Sequence, residues 1–210
     1  MKTRNSFIIA LVIALLSVSI PAFSQVTESR FFDRKLDFGI SAGIWFPGTI
    51  GGWNVDADVD WEYGKDTSFL ARVFLDGYLT RVIAIGPYFN FSPITISKLD
   101  GEDLSEDRSA TIAEIGGAFK VRVLFSPKTA LKLGLNIGTR FYNTDDLPPS
   151  HTGIGLNLSA ELQFMLESGF IFFIETGFLA QPNGFGTDDY DNDWEVYYAP
   201  IGYLNAGICF

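Results

Sequence analysis

The side chains best equipped for chemistry are few. A single histidine, His151, stands between Ser150 and Thr152, and a single thiol, Cys209, sits beside the C-terminal Phe210. A hydroxyl nucleophile needs a base within hydrogen-bond reach. Adjacent residues of an extended chain point apart, so Ser150 and His151 make no ready dyad. Acids recur at every second position in Asp56, Asp58, Asp60 and Glu62, and again in Asp189, Asp191 and Asp193. An EF-hand calcium loop starting at Asp56 would need Gly at its sixth place and Glu at its twelfth. Trp61 and Thr67 stand there instead. These runs read as acidic faces of extended hairpins, with Val55, Ala57, Val59 and Trp61 on the other face. Cys209 reads as a small interior filler, and its isolation excludes a disulfide framework or a Cys-rich zinc site. No metal, cofactor or catalytic residue is expected, and the chain is not expected to be an enzyme.

The elements that position these groups have period 2, the signature of strands rather than helices. Leu131, Leu133, Leu135, Ile137, Thr139 and Phe141 alternate with Lys132, Gly134, Asn136, Gly138, Arg140 and Tyr142. The same alternation marks 36–46, 69–79, 82–92, 111–125, 154–166, 170–181 and 196–210, which makes eight strands, each with one oily and one polar or small face. Connections at Thr80–Arg81, Ser126–Thr129 and Glu167–Gly169 are tight, whereas those at 47–66, 97–109, 143–151 and 182–195 are long and polar. Short turns at one end and long loops at the other fit an all-β, eight-stranded antiparallel up-and-down transmembrane β-barrel over 36–210. A soluble barrel of lipocalin type would bury its oily face and wet the other. Segment length and a polar face rich in Gly and Ser favour the membrane, since a small closed barrel has a cramped interior.

On that reading the lumen receives five bases, Arg72, Lys120, Arg122, Lys132 and Arg140, and five acids, Asp37, Asp76, Glu114, Glu161 and Glu175. A charge held away from water needs a partner. An interior salt-bridge network that closes the lumen is therefore expected. A conduit for hydrophobic compounds would want an apolar upper lumen, for which Leu70, Phe74 and Leu179 are the available residues. The four tryptophans, Trp45, Trp53, Trp61 and Trp194, fall at the long-loop end and are expected to form an outer aromatic girdle. The long connections also hold most of the chain's 25 acids, with only Lys65, Lys98 and Arg108 as bases. A net charge of -10 is unsuited to nucleic acid.

Lys2 and Arg4 precede an apolar run from Phe7 to Leu16, and Ala22 and Ser24 are small residues at a cleavage site before Gln25. Residues 1–24 thus read as a signal peptide, and 25–35 as an N-terminal periplasmic segment. The last strand, Tyr203-Leu204-Asn205-Ala206-Gly207-Ile208-Cys209-Phe210, resembles the assembly signal of bacterial outer-membrane barrels, with Ile208 and Phe210 at its two hydrophobic positions and Tyr203 at its start. Strand count and size are most similar to the small OmpX, OmpA-barrel and OmpW types. The resemblance implies the bacterial outer membrane, its lipid and its barrel assembly machinery as partners, and a monomer. It implies a structural or adhesin-like surface protein whose acidic loops meet an extracellular ligand. A passive channel for hydrophobic compounds and a lipid-modifying enzyme are the alternatives.

Overall fold

The computed structural model describes residues 34–55, 59–144, 150–187 and 193–210. The signal segment, most of 25–35, and Asp56, Ala57, Asp58, Asp189 and Asp191 lie outside the described residues. The strands are β1 (Leu36–Trp45), β2 (Gly48–Asn54), β3 (Val59–Lys65), β4 (Ser68–Tyr78), β5 (Ile83–Leu99), β6 (Glu102–Phe125), β7 (Thr129–Asn143), β8 (His151–Met165), β9 (Ile171–Gln181), β10 (Gly184–Thr187) and β11 (Asp193–Cys209).

All pairings are antiparallel, and the ladder runs from β1 through β4, β5, β6, β7, β8, β9 and β11 back to β1. Among the described residues the ring of strands is thus closed at belt depth. The remaining segments prolong this ring. β2 continues β1 beyond Pro47, β3 leads into β4, and β10 continues β9 beyond Pro182. Proline has no N–H to give a ladder, which accounts for two of these interruptions. The eleven described segments therefore build eight walls. From Arg122 the register passes through Lys132, Glu161, Glu175, Asn205, Gly43 and Leu70 and returns to β6 near Ile112. That stagger of about ten residues is the shear that tilts the strands of a closed barrel.

Three of the four expected long loops contain strand. β2 and β3 pair from Gly48↔Lys65 to Asn54↔Val59, and β10 joins β8 to the start of β11. β5 and β6 stay paired up to Leu99↔Glu102. Asp100 (φ 50°) and Gly101 (φ 83°) close that hairpin. Two successive positive φ angles make a type I′ turn, and Asp-Gly is a favoured pair for it. This dipeptide was the signal in 97–109 that a strand pair, not a loop, lay there. At the opposite end the turns are short: the Thr80 hydroxyl accepts the Ile83 N–H at 3.0 Å, and that of Ser126 accepts the Thr129 N–H at 3.1 Å.

Over the lower part of the barrel the outward positions are apolar and exposed. Phe38, Ile115, Ile137, Leu158, Ile174 and Phe178 are typical, with Ile115 56 % exposed and Phe178 58 %. The belt runs on β1 from Leu36 to Phe46, a span of about 25 Å for tilted strands. Phe210 packs edge-on against Phe170 at 5.2 Å and lies 6.3 Å from Phe38, forming an aromatic rim at the short-turn end. Exposed hydrocarbon on every wall of a closed barrel has one stable solvent, the acyl chains of a bilayer.

Above the belt the faces exchange character. Ile50, Ile94, Ile96, Ile112, Trp194 and Val196 point inward and are buried, while Asp60, Glu62, Asp66 and Glu195 point out. Three walls reach this state through a one-residue slip in alternation. Inward positions pass from Trp45 to Ile50, from Lys65 to Ser68, and from Tyr198 to Ile201. The β9–β11 ladder shifts register at that last step. A smaller bulge in β6 between Arg122 and Leu124 turns Val123 inward, against its place in the alternation.

Candidate functional site

The lumen is the candidate site, and it has two layers of charge beneath an aromatic lid. Its ten charged residues come from β1, β4, β6, β7, β8 and β9, each at an inward position of its strand. All are 2 % exposed or less.

In the lower layer Asp37 accepts hydrogen bonds from Arg34 Nε at 2.6 Å, the Tyr78 hydroxyl at 2.6 Å and Lys132 Nζ at 3.1 Å, with Arg122 at 3.6 Å. Asp76 Oδ2 accepts from Lys120 at 3.0 Å and Lys132 at 3.2 Å. Glu161 receives Lys120 at 3.2 Å and Gln163 Nε2 at 2.7 Å. Lys120 also lies 3.6 Å above the Phe74 ring, and the Arg122 guanidinium 4.0 Å from the Tyr78 ring. In the upper layer Arg72 pairs with Glu175, which also accepts from Tyr203, and Arg72 Nε donates to Asn90 at 2.7 Å. Arg140 Nε donates to Glu114 at 2.7 Å, and Tyr88 donates to the same carboxylate at 2.6 Å.

The arrangement of signs is specific. In the ladder Asp37 faces Asp76, Arg122 faces Lys132, and Glu161 faces Glu175. Like charges on adjacent strands repel, whereas Glu114 faces Arg140 and Lys132 faces Glu161 as opposite charges. Other opposite signs meet across the lumen, where Lys120 reaches Asp76 on one wall and Glu161 on another, and Lys132 reaches Asp37 and Asp76. The network therefore ties opposite walls together as it fills the space between them. Against it pack Phe74, Met165, Ile171, Phe173 and Cys209, and Phe74 meets Phe173 edge-on at 5.6 Å. Arg34 closes the lower mouth by donating to Gly169 O at 2.9 Å.

Above the ions lies an apolar layer that includes Trp45, Ile50, Leu70, Ile112, Leu179, Trp194 and Tyr198. Two tryptophans assigned to the outer girdle belong here. Trp45 is 1 % exposed and Trp194 3 %. Trp45 shares its parity with Asp37 and Ser41 and must face inward with them. Trp194 shares the parity of Val196 and Tyr198, which face inward before the slip in β11. Trp61 is half-buried with its ring 6.4 Å from that of Trp194. Of the four, Trp53 alone points out. Tyr203, from the terminal strand motif, turns into the lumen, while Ile208 and Phe210 face the belt. Between the ions and this lid is a space of about 10 Å³ lined by Trp45, Leu70, Glu114 and Arg140, room for about one water molecule.

His151, read from the sequence as a loop residue, begins β8 and is buried. Its Nε2 shares a hydrogen bond of 2.8 Å with the Tyr198 hydroxyl, and its ring stacks on Tyr142 at 4.5 Å. Lys65, also assigned to a loop, is buried where the strands slip. Its Nζ donates to Phe46 O at 3.0 Å, Asp66 O at 2.6 Å and Ser68 Oγ at 3.2 Å. It thus binds carbonyls at the breaks between β1 and β2 and between β3 and β4. Burial holds this amine down at about 8, against the opposing pull of Asp66. Among the described residues no cluster of His, Cys, Asp and Glu has the geometry to hold a metal ion.

No family profile and no curated protein matches the chain. Among solved structures it is similar to Ail, the attachment invasion locus protein of Yersinia pestis, at 13 % identity and a TM-score of 0.38, over 84 % of this chain and 100 % of that one. It is similar to the outer membrane protease OmpT of Escherichia coli at 8 % identity and 0.39, over 82 % and 97 %. An outer membrane channel from Pseudomonas putida F1 matches at 11 % identity and 0.31, over 88 % and 99 %.

Proposed function

We propose that this protein is a non-conducting barrel of the bacterial outer membrane that holds rigid acidic hairpins at the cell surface, as a structural or adhesin-like interaction protein. The observation that carries the reading is the lumen, crossed by ion pairs at two levels and capped by packed aromatic rings. A passage for ions or solutes would have to break several buried pairs, each costly to leave half-satisfied. The strands that continue beyond the belt supply the second part of the reading. Their outer surface carries Asp60, Glu62 and Glu195, and Glu102 and Asp103 are exposed at the tip of the β5–β6 hairpin. A stiff arm loses little entropy when a partner docks on it. His151 serves the packing of the lid in this account, and the protein is not an enzyme.

Planar-bilayer recording tests the closed lumen. The purified mature chain should insert without steady conductance, and a stable open channel of porin size would overturn the reading. The rival of a hydrophobic-compound conduit has the apolar upper lumen in its favour, but the residues that make it apolar also fill it.

A further inference from the structure

The outer surface carries a feature that the closed lumen does not use. Immediately above the belt, across β4, β5, β6 and β7, lies a groove of about 500 Å³. The hydroxyls of Thr67, Thr95, Ser109 and Thr111 and the amide of Asn143 line it, over Phe69 and Pro93. In the ladder Thr95 faces Ser109, Pro93 faces Thr111, and Thr111 faces Asn143, so the polar groups form one compact patch. The hollow arises where β7 stops at Asn143 while β5 and β6 climb on to Asp100. There Thr144 Oγ1 donates to Ser109 O at 3.3 Å. Directly beneath, the next outward row is Phe91, Ala113 and Phe141, a small residue between two rings.

Two properties define what fits. The groove stands where the apolar belt gives way to polar residues, so a ligand there has its head in the groove and its chains against the belt. Ala113 between Phe91 and Phe141 leaves a slot for one such chain. No ionisable side chain lines the groove, although the arms around it carry charges of both signs, Glu62, Glu102 and Asp103 with Lys98 and Arg108. A phosphate head would need Arg or Lys within the groove itself. A sugar hydroxyl both donates and accepts, as do Ser and Thr hydroxyls and an Asn amide. We infer that this groove binds a neutral acylated sugar, the headgroup of a glycolipid in the surrounding leaflet, with an acyl chain in the Phe91–Ala113–Phe141 slot. The inference rests on the membrane placement proposed above and adds a specific lipid site to it.

The test uses the full mature chain refolded into phosphatidylcholine vesicles doped with equal fractions of monogalactosyl diacylglycerol and phosphatidylglycerol. Lipid retained after mild detergent extraction is counted by native mass spectrometry. The galactolipid should be retained roughly ten-fold over phosphatidylglycerol, as two or three extra hydrogen bonds would give. The variant Thr95→Val, Ser109→Ala, Thr111→Val keeps shape and strand preference and should erase that difference without changing phosphatidylglycerol retention. Its folding is read from heat-modifiable gel migration, and Thr111→Val alone replaces it if the triple change does not fold. Equal retention of the two lipids by the wild-type chain, or a preference untouched by the substitutions, overturns the site. Failure of the wild-type chain to enter the vesicles at all overturns the membrane placement instead.

Discussion

The barrel wall changes its chemistry at one level, and the two halves obey opposite rules. At belt depth, hydrocarbon faces out and ions face in: Ile174 is exposed while its neighbour Glu175 is fully buried. Above the belt, the acids Glu62 and Glu195 face out while Ile50 and Val196 face in. The upper half is built like a soluble barrel and the lower half like its inverse, in one continuous sheet. The difference is one of solvent. Lipid rewards an oily exterior and leaves the interior to satisfy polar groups by pairing, whereas water rewards burying the oil. The slips at Phe46–Pro47, Asp66–Thr67 and Ala199–Pro200 sit where that solvent changes.

Breaking the lower half should have the largest effect. Asp76→Ala removes an acid shared by Lys120 and Lys132 and leaves buried ammonium charge short of a partner. A loss of about 3–5 kcal/mol is expected, measured by urea unfolding in detergent micelles. A loss below that of an exposed ion pair would mean that the network is wet and weak.

Next comes the exchange of exteriors. Ile174→Arg, in the middle of the outward series on β9, should cost about 2–4 kcal/mol in lipid vesicles. The same change at Thr152, one outward position above Ile154 on β8, should cost at most about 1 kcal/mol. Equal costs at both sites would erase the boundary on which the comparison depends.

The smallest effect is a pH dependence at the boundary. The folded Lys65 amine loses its proton near pH 8, whereas in the unfolded chain it holds the proton to the ordinary 10.5. Between these values the unfolded state binds more protons, so stability rises with pH across that window and is lowest below it. The difference in unfolding free energy between wild type and Lys65→Met should therefore shift in favour of wild type from pH 8 to 10.5. A flat difference would place this amine in water.

The alternation of residues such as Leu131–Tyr142 was enough to read eight strands, their outward faces and the ten interior charges. Side chains on a strand have no third direction to take, so a fold made only of strands is unusually legible. The inward tryptophans, the buried His151 and the upper barrel were not legible in the same way. Periodicity lapses at the slips, and the Asp100-Gly101 turn was the one local mark of the tallest hairpin. Glu114 and Arg140 pair as ladder neighbours within one hairpin, but the pairs that cross the lumen, such as Arg72 with Glu175, join strands far apart in the chain and could not be read. The amino-acid sequence by itself determined which side of each wall is oily, since that is a local property of alternation. Only the tertiary structure decided how Lys120 and Lys132 reach Asp76 and Glu161, and where hydrocarbon ends. Both depend on the closure and stagger of the sheet, which bring distant residues to one height.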